Sequence, residues 1–362
     1  MTWSFSWQTD WSGLWDDTFL EHWTSAFQPG SGARVSPFMH PAVVRAWVET
    51  VGFEGGDPVW FTATHPDGRE VFQILVREKR SGVGESVRSL IALGEHRFDF
   101  TEPVVFPAHD GSTTLEQDFW KALAEDLRQR QGDWFDRLEF PRVRADTLGS
   151  YRPEGETDVA PYLDLTRLGS IEDFMDTRKG RSRRSIRRRV KRCAEAGEFS
   201  FQVLGADEID RILSWIPRIV RQKRRKFSDD QSMDRFESFL TRLVCDGLPA
   251  GLPLCSSCSL DGRDISWSID FELGGELFLY TSDFDPDFSI YGLGNVHTYH
   301  QLDWAISNRM RIVNFMWGDE AYKAAWTDGK VQTLHRIRFD NPSLLSRFRL
   351  FIDSAARRAQ QA

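Results

Sequence analysis

The sequence predicts an α+β protein built from two similar halves. With 362 residues, the chain is long enough for two domains that each have a core. Short apolar strands, bounded by turn residues, alternate with amphipathic helices. The order strands, helix, strand occurs twice, on either side of a proline-, glycine- and acid-rich connection at residues 141–157. The expected domains are therefore 1–157 and 158–362.

The first half begins with a tryptophan-rich segment and then a helix. Pro41 lies in the first turn of this helix, where proline is tolerated, and apolar residues recur at helical spacing up to Val51. Pro66, Asp67 and Gly68 predict a turn between two strands. The other predicted elements of this half are strands at Val59–Thr64, Glu70–Arg77, Val87–Leu93 and Asp136–Phe140, and a helix at Leu115–Arg128.

The second half combines helices with an antiparallel meander. Ser170 is a candidate cap for a short helix, and Pro217 predicts a break in a later one. Asp261-Gly262 and Gly274-Gly275 supply the positive φ angles of tight hairpin turns. The predicted strands are Tyr162–Leu165, Phe199–Leu204, Leu254–Leu260, Ile265–Leu273, Leu277–Ser282, Ile312–Trp317 and Val331–Phe339, and the predicted helices include Ile209–Val220, Met233–Val244, Val296–Asn308 and Glu320–Trp326.

The composition is typical of a soluble globular protein. Hydrophobic residues make up 40% and charged residues 28% of the chain. The sequence has no apolar run long enough to span a bilayer and no basic start typical of a secretion signal, so we expect a cytoplasmic location without membrane insertion. Cys255 and Cys258 have a metal-like spacing, but they lie in a predicted strand, where residues three apart point to opposite faces. No metal site is predicted.

A dense basic segment stands out against the net charge of −8. Residues 178–192 contain ten lysines or arginines and no acid, and residues 223–226 add more basic residues. Three interpretations remain open for the first run: a solvated helix face, a site that attracts the phosphates of a cofactor or an anionic substrate, or an RNA-binding surface.

The stretch from Gly275 to Lys323 predicts the functional site. It contains an apolar strand, an acidic loop, the glycines Gly292 and Gly294, an amphipathic helix and a second apolar strand. Backbone N–H groups at a helix start lack intrahelical partners and carry partial positive charge, so they bind phosphate well. This order indicates a nucleotide-like cofactor, although the glycines by themselves are also compatible with an ordinary turn.

Five motifs resemble one family. Ser289–Gly294 (SIYGLG) is similar to the acyl-CoA pyrophosphate loop of the GNAT superfamily, with Ser289 in place of the usual longer polar residue. The other four are Ala160–Leu165 (APYLDL), the arginine-rich helix, Asp285–Phe288 (DPDF) and Gly318–Trp326 (GDEAYKAAW). In this order they resemble the branch that contains CelD-like acetyltransferases and, further off, Fem-type aminoacyltransferases.

The resemblance implies two tandem GNAT-like domains, each a mixed, mainly antiparallel sheet flanked by helices. The first would be degenerate, and the second would hold acetyl-CoA or another acyl-CoA. The pantetheine arm would insert between splayed strands at Gly275–Ser282 and Ile312–Trp317. The pyrophosphate would meet the backbone N–H groups of Gly292, Leu293, Gly294 and Asn295.

The candidate catalytic residues follow the two splayed strands. An amine that attacks a thioester must lose a proton, and Asp283 and Asp319 are the candidate bases, with a helix cap as the alternative for Asp319. The resemblance implies that Tyr322 protonates the leaving thiolate or that Lys323 stabilises charge at the reaction centre. The alternative is a Tyr322 packed in the core and a solvated Lys323.

Together these patterns predict an N-acyltransferase that moves an acyl group from CoA to a small-molecule or nucleotide-linked amine. One alternative is a Fem-type enzyme that uses aminoacyl-tRNA as the donor. Another is a catalytically silent GNAT fold that serves as a binding module, which would suit the departure at Ser289.

Overall fold

The computed structural model describes residues 2–52, 57–80, 87–94, 97–131, 135–224 and 230–361. The basic residues 225 and 226 lie outside these ranges. The strands are β1 (Ser4–Gln8), β2 (Asp57–Thr64), β3 (Glu70–Arg80), β4 (Val87–Ala92), β5 (Val104–Phe106), β6 (Arg137–Arg144), β7 (Thr157–Asp164), β8 (Phe199–Leu204), β9 (Leu254–Leu260), β10 (Arg263–Leu273), β11 (Glu276–Phe284), β12 (Ile312–Asn314) and β13 (Val331–Asp340).

The α-helices are α1 (Asp17–Ser25), α2 (Pro41–Thr50), α3 (Gln117–Gln131), α4 (Ile171–Thr177), α5 (Gly180–Ala194), α6 (Ile209–Leu213), α7 (Ile216–Arg224), α8 (Asp230–Arg242), α9 (Leu293–Ser307), α10 (Ala321–Thr327) and α11 (Leu344–Gln361). A π-helix at Leu243–Gly247 continues α8. Within the described ranges, no helix is both long and apolar enough to cross a bilayer.

Two compact units divide the chain. The N-terminal unit comprises residues 1–44, 52–159 and 332–362, and the C-terminal unit comprises residues 45–51 and 160–331. The boundary between the two units near residue 159 lies close to the expected domain boundary at 157. Residues 332–362, however, belong to the N-terminal unit, whereas the sequence assigns them to the second domain. The reason is that β13 pairs antiparallel with β6, and its Ile337 is fully buried in the core of the N-terminal unit.

The sheet of the N-terminal unit has the order β1-β2-β3-β4-β6-β13, with β5 on β3. All of these pairs are antiparallel except β4 and β6. The helix α3 lies in the chain between these two parallel strands and buries Phe119, Trp120 and Leu123 in the core of the unit.

The sheet of the C-terminal unit has the order β7-β12-β11-β10-β9-β8. Its pairs are also antiparallel apart from one, β11 with β12, and α9 connects these two strands. Each unit is therefore a mixed, mainly antiparallel sheet with flanking helices and one parallel strand–helix–strand connection. This confirms the predicted α+β fold class and the repeated order of elements.

Local sequence signals explain most element boundaries of the C-terminal unit. The Ser170 hydroxyl accepts a hydrogen bond from the N–H of Asp173 and caps α4. The predicted helix at Ile209–Val220 is broken into α6 and α7 before Pro217. Asp261 and Gly262 both have positive φ, as do Gly274 and Gly275, which matches the tight turns on either side of β10.

Candidate active site

The parallel strands β11 and β12 separate after a short paired segment. They pair at only three positions, Glu276 with Ile312, Leu277 with Val313 and Phe278 with Asn314. β11 then continues to Phe284, still paired with β10 on its other side. Within the described residues, its edge beyond Phe278 therefore has no strand partner on the β12 side.

The side chain of Asn314 ends β12. Its Oδ1 accepts a hydrogen bond of 2.9 Å from the N–H of Met316, and Met316 has a φ of +63°. The N–H of Phe315 donates to the carbonyl of Pro161 on β7, so the chain turns toward β7 and away from β11. The predicted strand at Ile312–Trp317 is thus only half as long as expected, and this early end opens the space beside β11.

A bulge in β11 coincides with the separation. Between the pairs Ile269–Thr281 and Phe271–Phe278, β10 has one residue, Asp270, whereas β11 has two, Leu279 and Tyr280, one more than regular pairing needs. The carboxylate of Asp270 accepts the N–H of Tyr280 at 2.9 Å and holds the extra residue in place. A buried acid on β10 therefore positions the backbone of the open edge.

Asp270 belongs to a buried polar network between β10 and α9. Its Oδ2 accepts hydrogen bonds from the Ser268 hydroxyl at 2.6 Å and the Gln301 amide at 2.7 Å. The imidazole of His297, on the same helix as Gln301, contacts the hydroxyls of Ser268 and Ser266. Burial raises the pKa of Asp270 to about 7 and lowers the pKa of His297 to about 3, so the histidine is neutral near pH 7.

The glycine loop forms the start of α9. Gly292 is the residue that caps the helix, with a left-handed φ of +66°, a conformation that glycine adopts without strain. A Cβ at this position would lie 2.8 Å from Nε of Arg189, so no larger residue fits unless the arginine moves. Gly294 has ordinary helical geometry, and a Cβ there would project into open space.

The four predicted phosphate donors are not equivalent. The N–H of Gly292 donates to the carbonyl of Ser289, and the N–H of Asn295 donates to the carbonyl of Gly292, each at 3.0 Å. The N–H groups of Leu293 and Gly294 have no acceptor within the described residues, and no side chain caps the helix. Of the four backbone N–H groups predicted to bind phosphate, those of Leu293 and Gly294 therefore remain as candidates.

Arg189, a residue the sequence did not single out, lies against this loop. It comes from α5, is half-buried, and packs on Gly292. Within the described part of the chain it has no ion-pair partner. Its neighbour on the helix, Arg192, lies over the ring of Tyr291 at 5.7 Å. Arginines of the basic run thus flank the helix start, where a guanidinium adds to the positive end of the helix dipole.

The rest of the basic run is divided between paired and unpaired side chains. Arg178 is buried and pairs with Asp328, whereas Arg183 and Arg187 form exposed ion pairs with Asp176 and Glu172. Arg181, Arg184 and Arg188 are exposed or partly exposed, and the described residues provide no ion-pair partner for them. The interpretation as a solvated helix face therefore holds for part of the basic segment, but not for Arg189.

Asp283, the first candidate base, lies on the face of the sheet opposite α9. It is directly opposite Trp267 in the β10–β11 ladder, so the two side chains share a face, while Ser266 and Ser268 face α9. Its Oδ1 accepts the N–H of the next residue, Phe284. Asp283 and Trp267 line a cleft of about 440 Å³ next to α7.

Asp319, the second candidate base, is exposed after the turn that follows β12. The alternative role as a helix cap is wrong, because α10 starts at Ala321 after Glu320 and has no side-chain cap. Asp285, the acid in the DPDF motif, accepts the N–H of Asp287 and pairs with Arg263. Asp285 is therefore a turn residue at the rim of the cleft.

The structure places Tyr322 at the surface and buries Lys323, which is the opposite of the alternative with a tyrosine in the core and a solvated lysine. Tyr322 is 58% exposed on α10, whereas Lys323 is only 4% exposed. The ammonium of Lys323 donates to the carbonyl of Trp317 at 2.6 Å and pairs with Glu320 at 2.8 Å. The lysine thus holds the segment after β12, and burial follows because its donors satisfy backbone carbonyls that the turn leaves unpaired.

The cysteines and histidines do not form a metal centre within the described residues, where no group of three potential ligands comes together. Cys255 and Cys258 are both buried and free, although they were expected on opposite faces. Both faces of this part of β9 are covered, so alternation does not expose either one. Burial raises the pKa of the Cys258 thiol to about 12 and keeps it protonated.

Comparison with known proteins points to one family. A model described as an acetyltransferase (GNAT) domain matches residues 180–324, from α5 to α10. A conserved protein of unknown function from Bacteroides thetaiotaomicron has a TM-score of 0.55 at 9% identity, over 92% of this chain and 99% of its own. FemX has a TM-score of 0.54 at 9% identity, over 87% of this chain and 98% of its own.

A tandem GNAT protein from the clavulanic acid biosynthesis pathway matches with a lower TM-score of 0.45 at 10% identity, over 94% of this chain and 99% of its own. A search of curated protein sequences found no match. At 9% identity, the likeness to FemX and to the Bacteroides protein concerns the fold alone. The matched domain contains β11, α9, β12 and the glycine loop, so residues 180–324 of this chain match the GNAT domain that the sequence predicted, and the chain shares its overall fold with FemX.

Proposed function

We propose that the protein is an acyl-CoA-dependent N-acyltransferase that transfers an acyl group to an amine. The observation that carries this proposal is the separation of β11 from β12 after three paired positions. The open edge of β11, which has no strand partner on the β12 side among the described residues, offers its backbone to an extended ligand, as an exposed strand does to a peptide. The two amides of a pantetheine arm suit such an edge.

The start of α9 supports the same donor. Leu293 and Gly294 present unpartnered N–H groups, and Arg189 adds a guanidinium beside them. A pyrophosphate at this position would gain charge-assisted hydrogen bonds and the favourable end of the helix dipole. The open space over Gly294 leaves room for the phosphate oxygens to approach the backbone.

The proposed reaction is direct attack of the amine on the thioester carbonyl. The nitrogen forms a bond to the acyl carbon, the C–S bond breaks, and the thiolate of CoA leaves. Asp283 is the proposed acceptor of the amine proton, and Tyr322, exposed on α10, is the proposed donor of a proton to the thiolate. Lys323 keeps the segment after β12 in place for this step.

In the N-terminal unit, the corresponding connection from β4 to α3 has different chemistry. It buries the aromatic residues Phe98 and Phe100 instead of a glycine pair at a helix start. We therefore assign the acyl-CoA site to the C-terminal unit only.

Calorimetric titration with acetyl-CoA tests the proposal. The wild-type protein should bind, and Gly294→Val should weaken binding by at least about tenfold, because the branched side chain would occupy the space over the free N–H groups. Ser307→Val, at the exposed opposite end of α9, is the matched control and should bind like the wild type. A folded wild-type protein that does not bind acetyl-CoA would favour the silent binding module.

An aminoacyl-tRNA donor is the second candidate. The exposed arginines Arg181, Arg184 and Arg188, which have no ion-pair partner among the described residues, favour a polyanionic ligand. Ribonuclease treatment separates the two donors: transfer that depends on intact tRNA would support the second candidate, and transfer from acetyl-CoA that survives the treatment would support the first.

A further inference from the structure

The cleft beside β11 is lined by charged groups of both signs, three arginines (Arg218, Arg221 and Arg263) and three aspartates (Asp283, Asp285 and Asp287). The cleft of about 440 Å³ lies between α7 and the sheet face that carries Asp283 and Trp267. At its rim, Arg263 is neutralised by Asp285 and lies 3.8 Å from Asp287. The other charged groups that line the cleft are Asp283 on the sheet and Arg218 and Arg221 on α7.

The two arginines of α7 have no acidic partner in the part of the chain that the structure describes. Arg218 lies over the ring of Trp267, with its Cζ 5.2 Å from the ring centroid, and it makes no ion pair. Arg221 lies one helical turn further and also makes no ion pair. Two like charges three residues apart on a helix repel each other, so an anion between them would be stabilised.

Trp267 provides a second, independent indication of a ligand site. Its side chain is only 1% exposed, yet its indole Nε1 has no hydrogen-bond acceptor within the described residues. A buried N–H without an acceptor is uncommon in folded proteins and costs free energy. An oxygen atom of a bound ligand in the cleft would satisfy it.

The cleft and the glycine loop approach β11 from opposite faces of one sheet. Ser266, Ser268 and Asp270 face α9, while Trp267 and Asp283 face α7. A donor seated at the start of α9 and an acceptor seated under α7 would therefore meet only at the open edge of β11. This arrangement assigns the cleft to the acceptor.

We infer that the acceptor is an amine that also carries an anionic group, a carboxylate or a phosphate, held by Arg218 and Arg221 while its amine faces Asp283. The inference rests on the proposed function. A volume of about 440 Å³ is within the range of small-molecule sites, so a compact amino acid or a phosphorylated amine fits its size.

The test uses matched acceptors that differ only in the anionic group. With acetyl-CoA as the donor, kcat/KM is measured for 4-aminobutyrate against butylamine and for glucosamine 6-phosphate against glucosamine. We expect the anionic member of at least one pair to react at least about tenfold faster, and the pair that shows the preference tells a carboxylate from a phosphate. Arg218→Gln combined with Arg221→Gln should remove that preference through KM.

Arg235→Gln, an exposed arginine of the neighbouring helix α8 that does not line the cleft, is the matched control and should retain the preference. No preference in either pair, or a preference that survives the double substitution, would overturn the inference. Binding of acetyl-CoA is measured in the same preparations. If it is intact while the preference is absent, the acceptor assignment fails and the proposed function stands.

Discussion

Lys323 illustrates how a buried lysine can hold a turn in place through its ammonium group. Its ammonium is shared between the carbonyl of Trp317, at 2.6 Å, and the carboxylate of Glu320, at 2.8 Å. Glu320 is exposed, so the pair keeps partial contact with water. The lysine therefore stabilises the turn after β12 and indirectly the open edge of β11.

Replacing this lysine tests its structural role. Lys323→Met keeps the length of the side chain but leaves the carbonyl of Trp317 without its donor, and we expect a loss of about 2–3 kcal/mol in the free energy of unfolding. Urea denaturation measures this change in the free energy of unfolding. Lys330→Met, at an exposed position, is the control and should change little. Equal effects of the two substitutions would show that Lys323 does not hold the turn.

Arg189 is the residue on which the position of the donor depends most directly. Arg189→Gln removes one charge beside the unpartnered N–H groups of α9, and we expect acetyl-CoA to bind about tenfold more weakly, the equivalent of one charge-assisted hydrogen bond. Arg188→Gln, the exposed neighbour, is the control at physiological salt, where distant charges are screened. Similar losses of acetyl-CoA affinity in both variants would mean that binding depends on the total positive charge of α5 and not on the position of Arg189.

At the scale of elements, the bulge in β11 depends on the buried carboxylate of Asp270. Burial raises its pKa to about 7, above the value of 3.8 for the unfolded chain. The folded protein therefore keeps this proton at pH values where the unfolded chain has lost it. From this group alone, stability is highest below about pH 4 and falls as the pH rises to about 7.

Asp270→Asn should remove this dependence. The amide oxygen can still accept the N–H of Tyr280, so the bulge should persist. Between about pH 4 and pH 7, we expect the stability of the variant relative to the wild type to rise by up to about 4 kcal/mol. Urea denaturation at several pH values measures the difference, with the exposed Asp207→Asn as control. Parallel pH profiles for the wild type and Asp270→Asn would contradict the buried, protonated acid.

At the scale of the whole molecule, β13 lies far along the chain from the other strands of the N-terminal unit. It pairs with β6 between Leu334 and Asp340, and Ile337 is fully buried in the core formed by residues of the N-terminal unit. A strand after residue 331 is thus needed to complete a sheet that begins at β1. Residues 1–159 by themselves lack this strand.

Ile337→Ala tests this membership. Because the cavity lies in the core of the N-terminal unit, we expect a loss of about 2–5 kcal/mol and faster amide exchange in β2 and β3 than in β9 and β10. Denaturation and hydrogen-exchange mass spectrometry measure the two effects. Val331→Ala, 45% exposed at the start of the same strand, is the control. Faster exchange confined to the C-terminal unit would assign β13 there instead.

Patterns along the chain are sufficient to predict the features that depend on residues close in sequence. Helical periodicity placed α3, α8 and α9, turn residues placed the hairpins around β10, and Gly292 marked a helix start with positive φ. These signals operate over a few residues, so they can be read along the chain. The motifs from Ala160 to Trp326 predicted the GNAT domain for the same reason. The short elements β1 and β5 and the helices α1 and α11 were not predicted.

Which groups from distant parts of the chain come into contact depends on the three-dimensional fold. Arg189 reaches Gly292 across about a hundred residues, Arg218 lies over Trp267, and Asp270 holds a bulge in the next strand. The burial of Lys323 and the exposure of Tyr322 also depend on how α10 packs. These contacts arise from the folding of separate segments onto one sheet, where charge and burial depend on neighbours that no local pattern specifies.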